Sequence, residues 1–307
     1  MKKIIPILLA VAVAAGFAAA QTPGPKWEEM TAAEYIQAAK QAQGVCVLPF
    51  GLIDAHGPAG PLGTDVYNVR AAALLAVKSE YAVVFPTYYF GQAAVDQTQP
   101  GTVSYSRTAQ LTMLNETTAE MARNGCTKVV IIAGEDSNLQ LIRFWVQLFL
   151  DKPVKDYMVY AVLPIDNRVT GGGTPDTAWM AKPMPAAAAP SGAGVDGHGG
   201  ENEISELLVS RPDLAHPERS GEASGADAKR LAVLGGKASN ALTVYGRSPN
   251  SYSGNAARAS RERGEALLSY RADAIVDALK AVKADKAGSA LQKEFFEEIS
   301  HPMDTKQ

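Results

Sequence analysis

Four short apolar runs, separated by segments with helical periodicity, constrain the fold of this chain more than any other feature. The runs V-C-V-L-P-F at 45–50 and K-V-V-I-I-A at 128–133 are nearly uninterrupted, which is typical of strands buried on both faces. Strands that alternate with helices form a parallel sheet with helices on both faces. The sequence therefore predicts an α/β fold, a three-layer α/β/α sandwich with a mostly parallel sheet.

The predicted elements follow one another in strict alternation through the first half of the chain. The strands are predicted at 45–50, 81–89, 128–133 and 157–163, and the helices at Thr31–Gln41, Asp65–Lys78, Thr108–Asn124 and Leu139–Leu150. A Gly- and Pro-rich stretch at 166–200 interrupts this pattern, and a loop of such length is usually functional or disordered. Beyond it, helices are predicted at Glu201–Val209 and Ala256–Ala284.

The first twenty residues have the pattern of a secretory signal peptide. Lys2 and Lys3 precede an apolar core at 4–17, and three alanines ending at Ala20 form a small-residue cleavage site. An uncleaved membrane anchor is the alternative, but the segment is short for a spanning helix. We expect cleavage after Ala20 and a periplasmic or secreted protein. The chain is then divided into this signal peptide (1–20), a linker and helix (21–43), an α/β domain (44–285) and a polar tail (286–307).

Charge and cysteine content bear on partners and compartment. The 307 residues carry a formal net charge of -3, whereas nucleic-acid binding needs a basic face, so no nucleic-acid partner is expected. No segment after the signal peptide is long enough to cross a bilayer.

An oxidising compartment permits a disulfide between Cys46 and Cys126. Each nevertheless lies in or beside an apolar run, where a free cysteine packs as a small hydrophobe, and this favours two free, buried cysteines.

Three clusters of polar residues suit metal binding. They are Asp54, His56 and Asp65 in the Gly/Pro-rich loop after the first strand, the segment G-E-D-S-N at 134–138, and the segment D-G-H-G-G-E-N-E-I-S at 196–205. The carboxyl ends of parallel strands share one edge of the sheet, where ligands bind. Carboxylates and imidazoles grouped there fit divalent ions such as zinc or manganese. The alternative is that each carboxylate only caps a helix.

The order of these motifs resembles the creatininase (creatinine amidohydrolase) family. L-P-F-G-L-I-D-A-H-G-P-A-G-P-L-G-T-D at 48–65 is similar to the family's L-P-x-G-S-x-E-Q-H-G-P-H-L-P-L-G-T-D. P-G-T-V-S at 100–104 resembles F-P-G-T-x-S, and G-H-G-G-E-N-E-I-S resembles H-A-G-x-x-E-T-S. The segment K-V-V-I-I-A-G-E-D-S-N resembles a strand followed by N-G-H-G-G-N, and 255–267 resembles A-S-x-x-K-G. The resemblance spans roughly residues 45 to 280.

The resemblance implies a creatininase-like one-domain fold, a hydrolase site with two divalent metal ions, and self-association, often as a hexamer. Mn or Zn is the expected metal, with Mg or Ca as alternatives. Carried over by position, the metal ligands are Asp54, His56, Asp65, Glu135 and Glu203. His198 and Glu203 are the expected catalytic residues. Substrate binding is assigned to Trp179, His198 and Asp136, and the loop 166–200 is expected to act as a lid.

Four departures from the family pattern occur at this site. Asp54 replaces a Glu, Glu135 replaces a His, Ala59 replaces the second His of the first motif, and Q-A-A-V-D at 92–96 replaces S-x-E-H. The resulting set is rich in oxygen, which favours manganese, magnesium or calcium over zinc. These changes imply either an altered substrate or a loss of catalysis.

Three functions are therefore considered. The first is an exported metal-dependent hydrolase that cleaves a C–N bond of a small amide or cyclic amide with metal-activated water. The second is a hydrolase or lyase of oxidised sugars or inositol derivatives, in which Trp179, Tyr88 and Tyr89 could stack on a ring, although core or lid positions are favoured for them. The third is a catalytically degenerate ligand-binding module.

Overall fold

The computed structural model describes residues 24–151, 153–162, 186–188 and 196–304. Its strands are β1 (Val45–Phe50), β2 (Val83–Val84), β3 (Lys128–Ala133) and β4 (Met158–Val162). Its α-helices are α1 (Ala32–Gln41), α2 (Thr64–Ala76), α3 (Arg107–Arg123), α4 (Asp136–Gln147), α5 (Glu201–Ser210), α6 (Thr243–Arg247), α7 (Arg261–Ala284) and α8 (Gly288–Glu298). The predicted signal peptide and Trp179 lie outside the described residues.

The four strands form one parallel sheet in the order β2-β1-β3-β4. β1 pairs with β3 along its whole length, from Val45 opposite Lys128 to Phe50 opposite Ala133. The chain leaves β1 and β3 at the same edge of the sheet, so the loop after β1 and the N-terminus of α4 start side by side. This places the predicted site at the junction where the strand order reverses, a common ligand-binding position.

Two hydrophobic cores lie on opposite faces of the sheet, because successive strand residues point to opposite sides. On one face, Cys46, Leu48 and Phe50 of β1 pack with α1, α3 and α4. On the other face, Val45 and Val47 pack with α2 and α7. The predicted three-layer α/β/α architecture is thereby confirmed.

Side-chain caps explain where several helices begin. Thr31 caps α1 through a capping box with Glu34. The long helix predicted from Ala256 instead begins at Arg261, because the hydroxyl of Ser260 accepts a hydrogen bond from the backbone N–H of Arg263 at 3.2 Å. The residues Ala256–Arg258 form a separate 3-10 turn.

Two other predicted segments differ from the structure. The strand predicted at 81–89 is reduced to β2. Phe85 donates to the carbonyl of Val47 and Tyr88 to that of Pro49, so three residues oppose two of β1 and one extra residue interrupts the pairing before Tyr88 rejoins β1 opposite Phe50. The polar tail contains α8, and the side chain of Phe296 in this helix is buried. Within the described ranges, no helix is long and apolar enough to span a membrane.

Cys46 and Cys126 form a disulfide, so the expectation of two free cysteines was wrong. Cys46 lies near the start of β1 and Cys126 shortly before β3, with their Cα atoms 5.5 Å apart. The sequence argument considered the burial of each cysteine by itself. The pairing of β1 with β3 brings the two together, and strand order is not readable from apolar periodicity.

We expect the disulfide to stabilise the fold substantially, because it closes a loop across a sequence separation of 80 residues. Loss of this constraint on the unfolded chain should lower the free energy of unfolding by roughly 4 kcal/mol. Urea unfolding of the wild type with and without dithiothreitol measures this difference. In the double variant Cys46→Ala/Cys126→Ala, the reductant should have no effect. Equal unfolding midpoints for wild type and double variant would contradict the expectation.

Candidate metal centre

The loop after β1 carries two of the predicted ligands in a fixed conformation. The backbone N–H of Asp54 donates to the carbonyl of Leu62 at 3.0 Å, and the carbonyl of Ile53 accepts from the N–H of Val103 at 2.8 Å. His56 forms an isolated bridge with Gly60. The loop leads directly into α2, whose first turn contains Asp65. Asp54, His56 and Asp65 are almost fully buried, with exposed fractions of 1%, 1% and 2%.

His56 lies at the middle of the candidate centre. Its Nδ1 is 3.0 Å from the backbone carbonyl of Asp54, which can only accept a hydrogen bond. Nδ1 therefore donates to this carbonyl. Nε2 faces Asp65 Oδ1 at 3.1 Å and Glu203 Oε2 at 3.5 Å, so without a metal it donates to Asp65, and a bound cation would take the place of that proton. Metal-binding histidines commonly donate their other N–H to a carbonyl in this way.

His198 reaches the same loop from a distant part of the sequence. Its Nε2 lies 2.8 Å from the carbonyl of Ala55 and 3.4 Å from Asp54 Oδ2. The rings of His198 and His56 have centroids 4.2 Å apart. Gly199 permits this approach, since a Cβ at that position would lie 2.5 Å from the His56 carbonyl oxygen and the residue has a φ of +69°. By the same argument as for His56, Nε2 of His198 donates to the carbonyl of Ala55, and Nδ1 is the nitrogen on the side of Glu203.

Glu203 is positioned by the first turn of α5. Its Oε2 accepts from the N–H of Gly199 at 2.7 Å, and its backbone carbonyl accepts from Asn68 Nδ2 at 2.9 Å. Asp196 holds the start of the helix, because its two carboxylate oxygens accept from the N–H groups of Glu201 and Asn202 at 2.7 and 2.8 Å. The position of Glu203 thus depends on contacts from both α2 and the loop before α5.

Two overlapping groups of donors could each hold a metal ion. One group contains Asp54, His56 and His198, and the other contains His56, Asp65 and Glu203; within each group the ligand atoms lie within 4.8 Å of one another. The described residues therefore bring together four of the five predicted ligands. Nitrogen and carboxylate donors in one buried site fit zinc or manganese.

Unpaired oxygens support the fit to a metal. Asp54 Oδ1 and Asp65 Oδ2 are buried and have no hydrogen-bond partner among the described residues. A buried carboxylate oxygen without a partner is costly, and coordination of a cation removes that cost. Both oxygens belong to residues of the donor groups, so Asp54 and Asp65 each have an oxygen left for a ligand once the hydrogen bonds of the described residues are counted.

The protein's own charges disturb the protonation of the site. Burial raises the pKa of Asp54 to about 7; Asp65 adds to this rise, while His56 and His198 oppose it. Burial acts to lower the pKa of His56, but Asp65 and Asp54 outweigh it and raise that pKa well above 6.5. Carboxylates and imidazoles therefore share protons near neutral pH, and a divalent cation would compete with those protons.

The remaining predicted site residues are not all part of these groups. Glu135 belongs to neither group; it caps α4, where its carboxylate accepts from the backbone N–H of Ser137. Asp136 is the first residue of α4. Trp179 is outside the described residues. Tyr88 is only 4% exposed and contacts Phe50 in the core, so it is not available to stack on a ligand, whereas Tyr89 is 38% exposed.

Sequence reasoning missed the place of His198 among the possible metal donors. It assigned this residue to proton transfer or to substrate binding, because the aligned family motif has that role. The signal that could have found it is local: His198 precedes Glu203 in D-G-H-G-G-E-N-E, and its glycines allow close backbone approach. With a second imidazole and without Glu135, the donor set contains more nitrogen than the sequence predicted.

Solved structures of creatininases share this fold. One, titled a crystal structure of creatinine amidohydrolase (creatininase), is 23% identical over 86% of this chain and 99% of its own, with a TM-score of 0.65. A manganese form of creatininase is 22% identical over 85% of this chain and 100% of its own, with a TM-score of 0.64. A putative creatinine amidohydrolase from Bacteroides fragilis is 19% identical over 87% and 99%, with a TM-score of 0.64. At these identities the likeness establishes the fold.

The sequence itself matches a family model. No curated protein matches the chain. The model named Creatininase, described as creatinine amidohydrolase, matches residues 28–279. That range includes all the donors of both groups and every strand of the sheet. The chain therefore belongs to the creatininase family of metal-dependent amidohydrolases.

Proposed function

We propose that this protein is an exported hydrolase that cleaves the C–N bond of a small amide or cyclic amide. The observation that carries the proposal is the pair of donor groups built around His56, with two buried carboxylate oxygens that accept no hydrogen bond from any residue the structure describes. A bound divalent metal ion would lower the pKa of a water molecule there and polarise the carbonyl to be cleaved.

The exposure of the donors indicates how a substrate would approach. The side chains of His56, Asp54 and Asp65 are 0%, 1% and 2% exposed, whereas those of His198 and Glu203 are 21% and 23% exposed. A substrate would therefore reach the centre on the side of His198 and Glu203. Nε2 of His198 donates to the carbonyl of Ala55, and its Nδ1 lies 4.0 Å from Glu203 Oε2 on this side of the centre. These two residues are the ones placed to transfer a proton during hydrolysis.

Metal content and a substrate screen test the proposal directly. Mature protein purified without chelator should contain manganese or zinc, and it should hydrolyse at least one member of a panel of lactams, hydantoins and small linear amides. Turnover of keto-sugars or inositol derivatives instead would favour the second function considered above. Absence of metal after soaking with manganese, zinc and calcium would overturn the proposal in favour of a ligand-binding module.

Export is part of the proposal and has its own support. The first twenty residues have the pattern of a signal peptide, and the described residues contain a disulfide, which persists in oxidising compartments. Expression of the full chain in a bacterial host, followed by fractionation and N-terminal sequencing, should give a periplasmic protein that begins at Gln21. A protein that retains residues 1–20 in the membrane fraction would contradict it.

We also propose that the chain self-associates, as the family resemblance implies. Among the described helices, four carry a large apolar side chain that is more than half exposed: Ile36 of α1, Phe144 of α4, Val244 of α6 and Leu291 of α8. Scattered exposed apolar residues are common in monomers, so their presence supports association only weakly. Light scattering coupled to size-exclusion chromatography decides the question, and a mass of one chain would overturn this part.

The substitution Asp65→Asn should strongly reduce metal binding, because it removes a buried anionic ligand next to His56 while keeping the side-chain shape. The loss of affinity should exceed the roughly 10- to 100-fold that loss of an outer-shell partner costs. Asp273→Asn, an exposed position on α7, makes the same chemical change away from the donor groups and serves as the control. Competition with a chromophoric chelator measures both; equal affinities would contradict the assignment.

The predicted role of Glu135 can be tested in the same way. If the sequence prediction holds, Glu135→Gln should reduce metal affinity or stoichiometry as Asp65→Asn does. Unchanged affinity and stoichiometry would contradict that prediction and agree with the position of Glu135 outside both donor groups. Elemental analysis after dialysis gives the number of ions per chain in each variant.

Metal affinity should rise with pH through neutrality. The pKa of Asp54 is raised to about 7, mainly by burial, and the metal must displace that proton to bind the carboxylate. Below pH 7 the apparent affinity should fall roughly tenfold per pH unit for each proton displaced. Chelator competition at pH 6, 7 and 8 measures the slope. An affinity that does not change between pH 6 and 8 would contradict this expectation.

A further inference from the structure

A fourth aspartate lies beside the metal centre without belonging to either donor group. Asp96 begins a short 3-10 turn, Asp96–Thr98, in the segment where this chain departs from the family pattern. Burial is the main cause of the raised pKa of Asp54, and the negative charge of Asp96 adds to it. Asp96 is joined to the centre by contacts, since Ser251, which holds its carboxylate, lies two residues before Ser253, whose N–H donates to the carbonyl of His198 at 2.8 Å; neither candidate group includes Asp96.

A buried serine fixes the side chain of Asp96. The hydroxyl of Ser251 donates a hydrogen bond to Asp96 Oδ1 at 2.5 Å. Ser251 is 4% exposed and has a φ of +51°, a backbone conformation that non-glycine residues rarely adopt. Such strain persists only where the surroundings impose it, and it is frequent at functional sites.

The segment 249–254 supplies these surroundings, and we name it the serine loop. It touches the site at three points. The N–H of Ser253 donates to the carbonyl of His198 at 2.8 Å, and the carbonyl of Pro249 accepts from Gln99 Nε2 at 3.0 Å. The ring of Tyr252 packs where a Cβ on Gly57 would otherwise be, at 2.5 Å. One loop thus fixes both Asp96 and His198, which both act on Asp54.

The charge of Asp96 is available to a ligand. Its side chain is half-buried, so the carboxylate keeps access to solvent. In the part of the chain that the structure describes, no lysine or arginine forms a salt bridge with it, and Ser251 is its side-chain hydrogen-bond partner. A carboxylate that is held in place and not neutralised is a specific receptor for a positively charged nitrogen.

We propose that Asp96, held by Ser251, recognises a positively charged nitrogen of the substrate next to the metal centre, so that the preferred substrates are amides that carry an amine. This inference rests on the proposed function, because it assumes that the amide carbonyl is bound at the donor groups. It assigns Asp96 to substrate specificity and leaves metal binding to the two groups around His56.

Two hydroxamates of matched shape test the proposal without requiring a known substrate. Glycine hydroxamate carries an ammonium group where propanohydroxamate carries a methyl group, and both anchor to a metal ion through the same chelating group. Calorimetric titration of the metal-loaded wild type should show tighter binding of glycine hydroxamate. In Asp96→Asn this preference should fall roughly 10- to 100-fold, the usual effect of a hydrogen bond to a charged group.

The variants separate recognition from loss of structure. Asp96→Asn should keep wild-type metal content and wild-type affinity for propanohydroxamate. Ser251→Ala keeps the Asp96 carboxylate but removes the hydroxyl that fixes its orientation. This variant should lose part of the preference for glycine hydroxamate. Asp273→Asn should keep all of it.

Two other outcomes are decisive. The role of Asp96 is overturned if the wild type binds metal and propanohydroxamate but shows no preference for glycine hydroxamate. It is also overturned if Asp96→Asn keeps the preference. In both cases the proposed function stands. If the wild type binds neither metal nor propanohydroxamate, the proposed function fails and the role of Asp96 fails with it.

Discussion

The site is governed by the cost of burying carboxylates close together. Asp54 and Asp65 are almost completely removed from water, and in the described part of the chain one oxygen of each has no hydrogen bond. In a protein interior such groups either take up a proton or pair with a cation. Two imidazoles compensate part of the negative charge, but neither satisfies the unpaired oxygens. The arrangement is therefore best explained as one that a metal ion completes.

The backbone, more than the side chains around it, determines which atoms face that ion. Consecutive carbonyls of Asp54 and Ala55 accept from one nitrogen of His56 and one of His198, respectively. Each carbonyl takes up one ring nitrogen and directs the other nitrogen toward the carboxylates of the centre. Two consecutive residues thus orient His56 and His198, which are 142 residues apart in sequence. The Gly/Pro-rich composition of the loop is what permits its backbone to follow this path.

Much of this molecule could be predicted from its sequence. The apolar runs and caps gave the parallel sheet and most helix positions, and the loop after β1 identified Asp54, His56 and Asp65. Other features depend on which segments meet in space. The disulfide follows from the pairing of β1 with β3, and the place of His198 follows from a glycine that admits it to the His56 carbonyl. The contact between Asp96 and Ser251 joins residues 155 positions apart, and no local pattern marks it.

The disulfide has a consequence for how the protein matures. Cys46 and Cys126 join β1 and β3 near the ends where these strands begin, whereas the donor groups lie beyond the ends where they finish. The disulfide thus joins the two central strands where they begin, whereas the donor groups, which come from the loop after β1, the first turn of α2 and the segment 198–203, lie beyond the opposite ends. Oxidation and metal uptake involve different residues at opposite edges of the sheet, so neither step blocks the other. A chain that reaches an oxidising compartment before it encounters metal can close its sheet first and acquire the ion afterwards, in a site whose strands are already aligned.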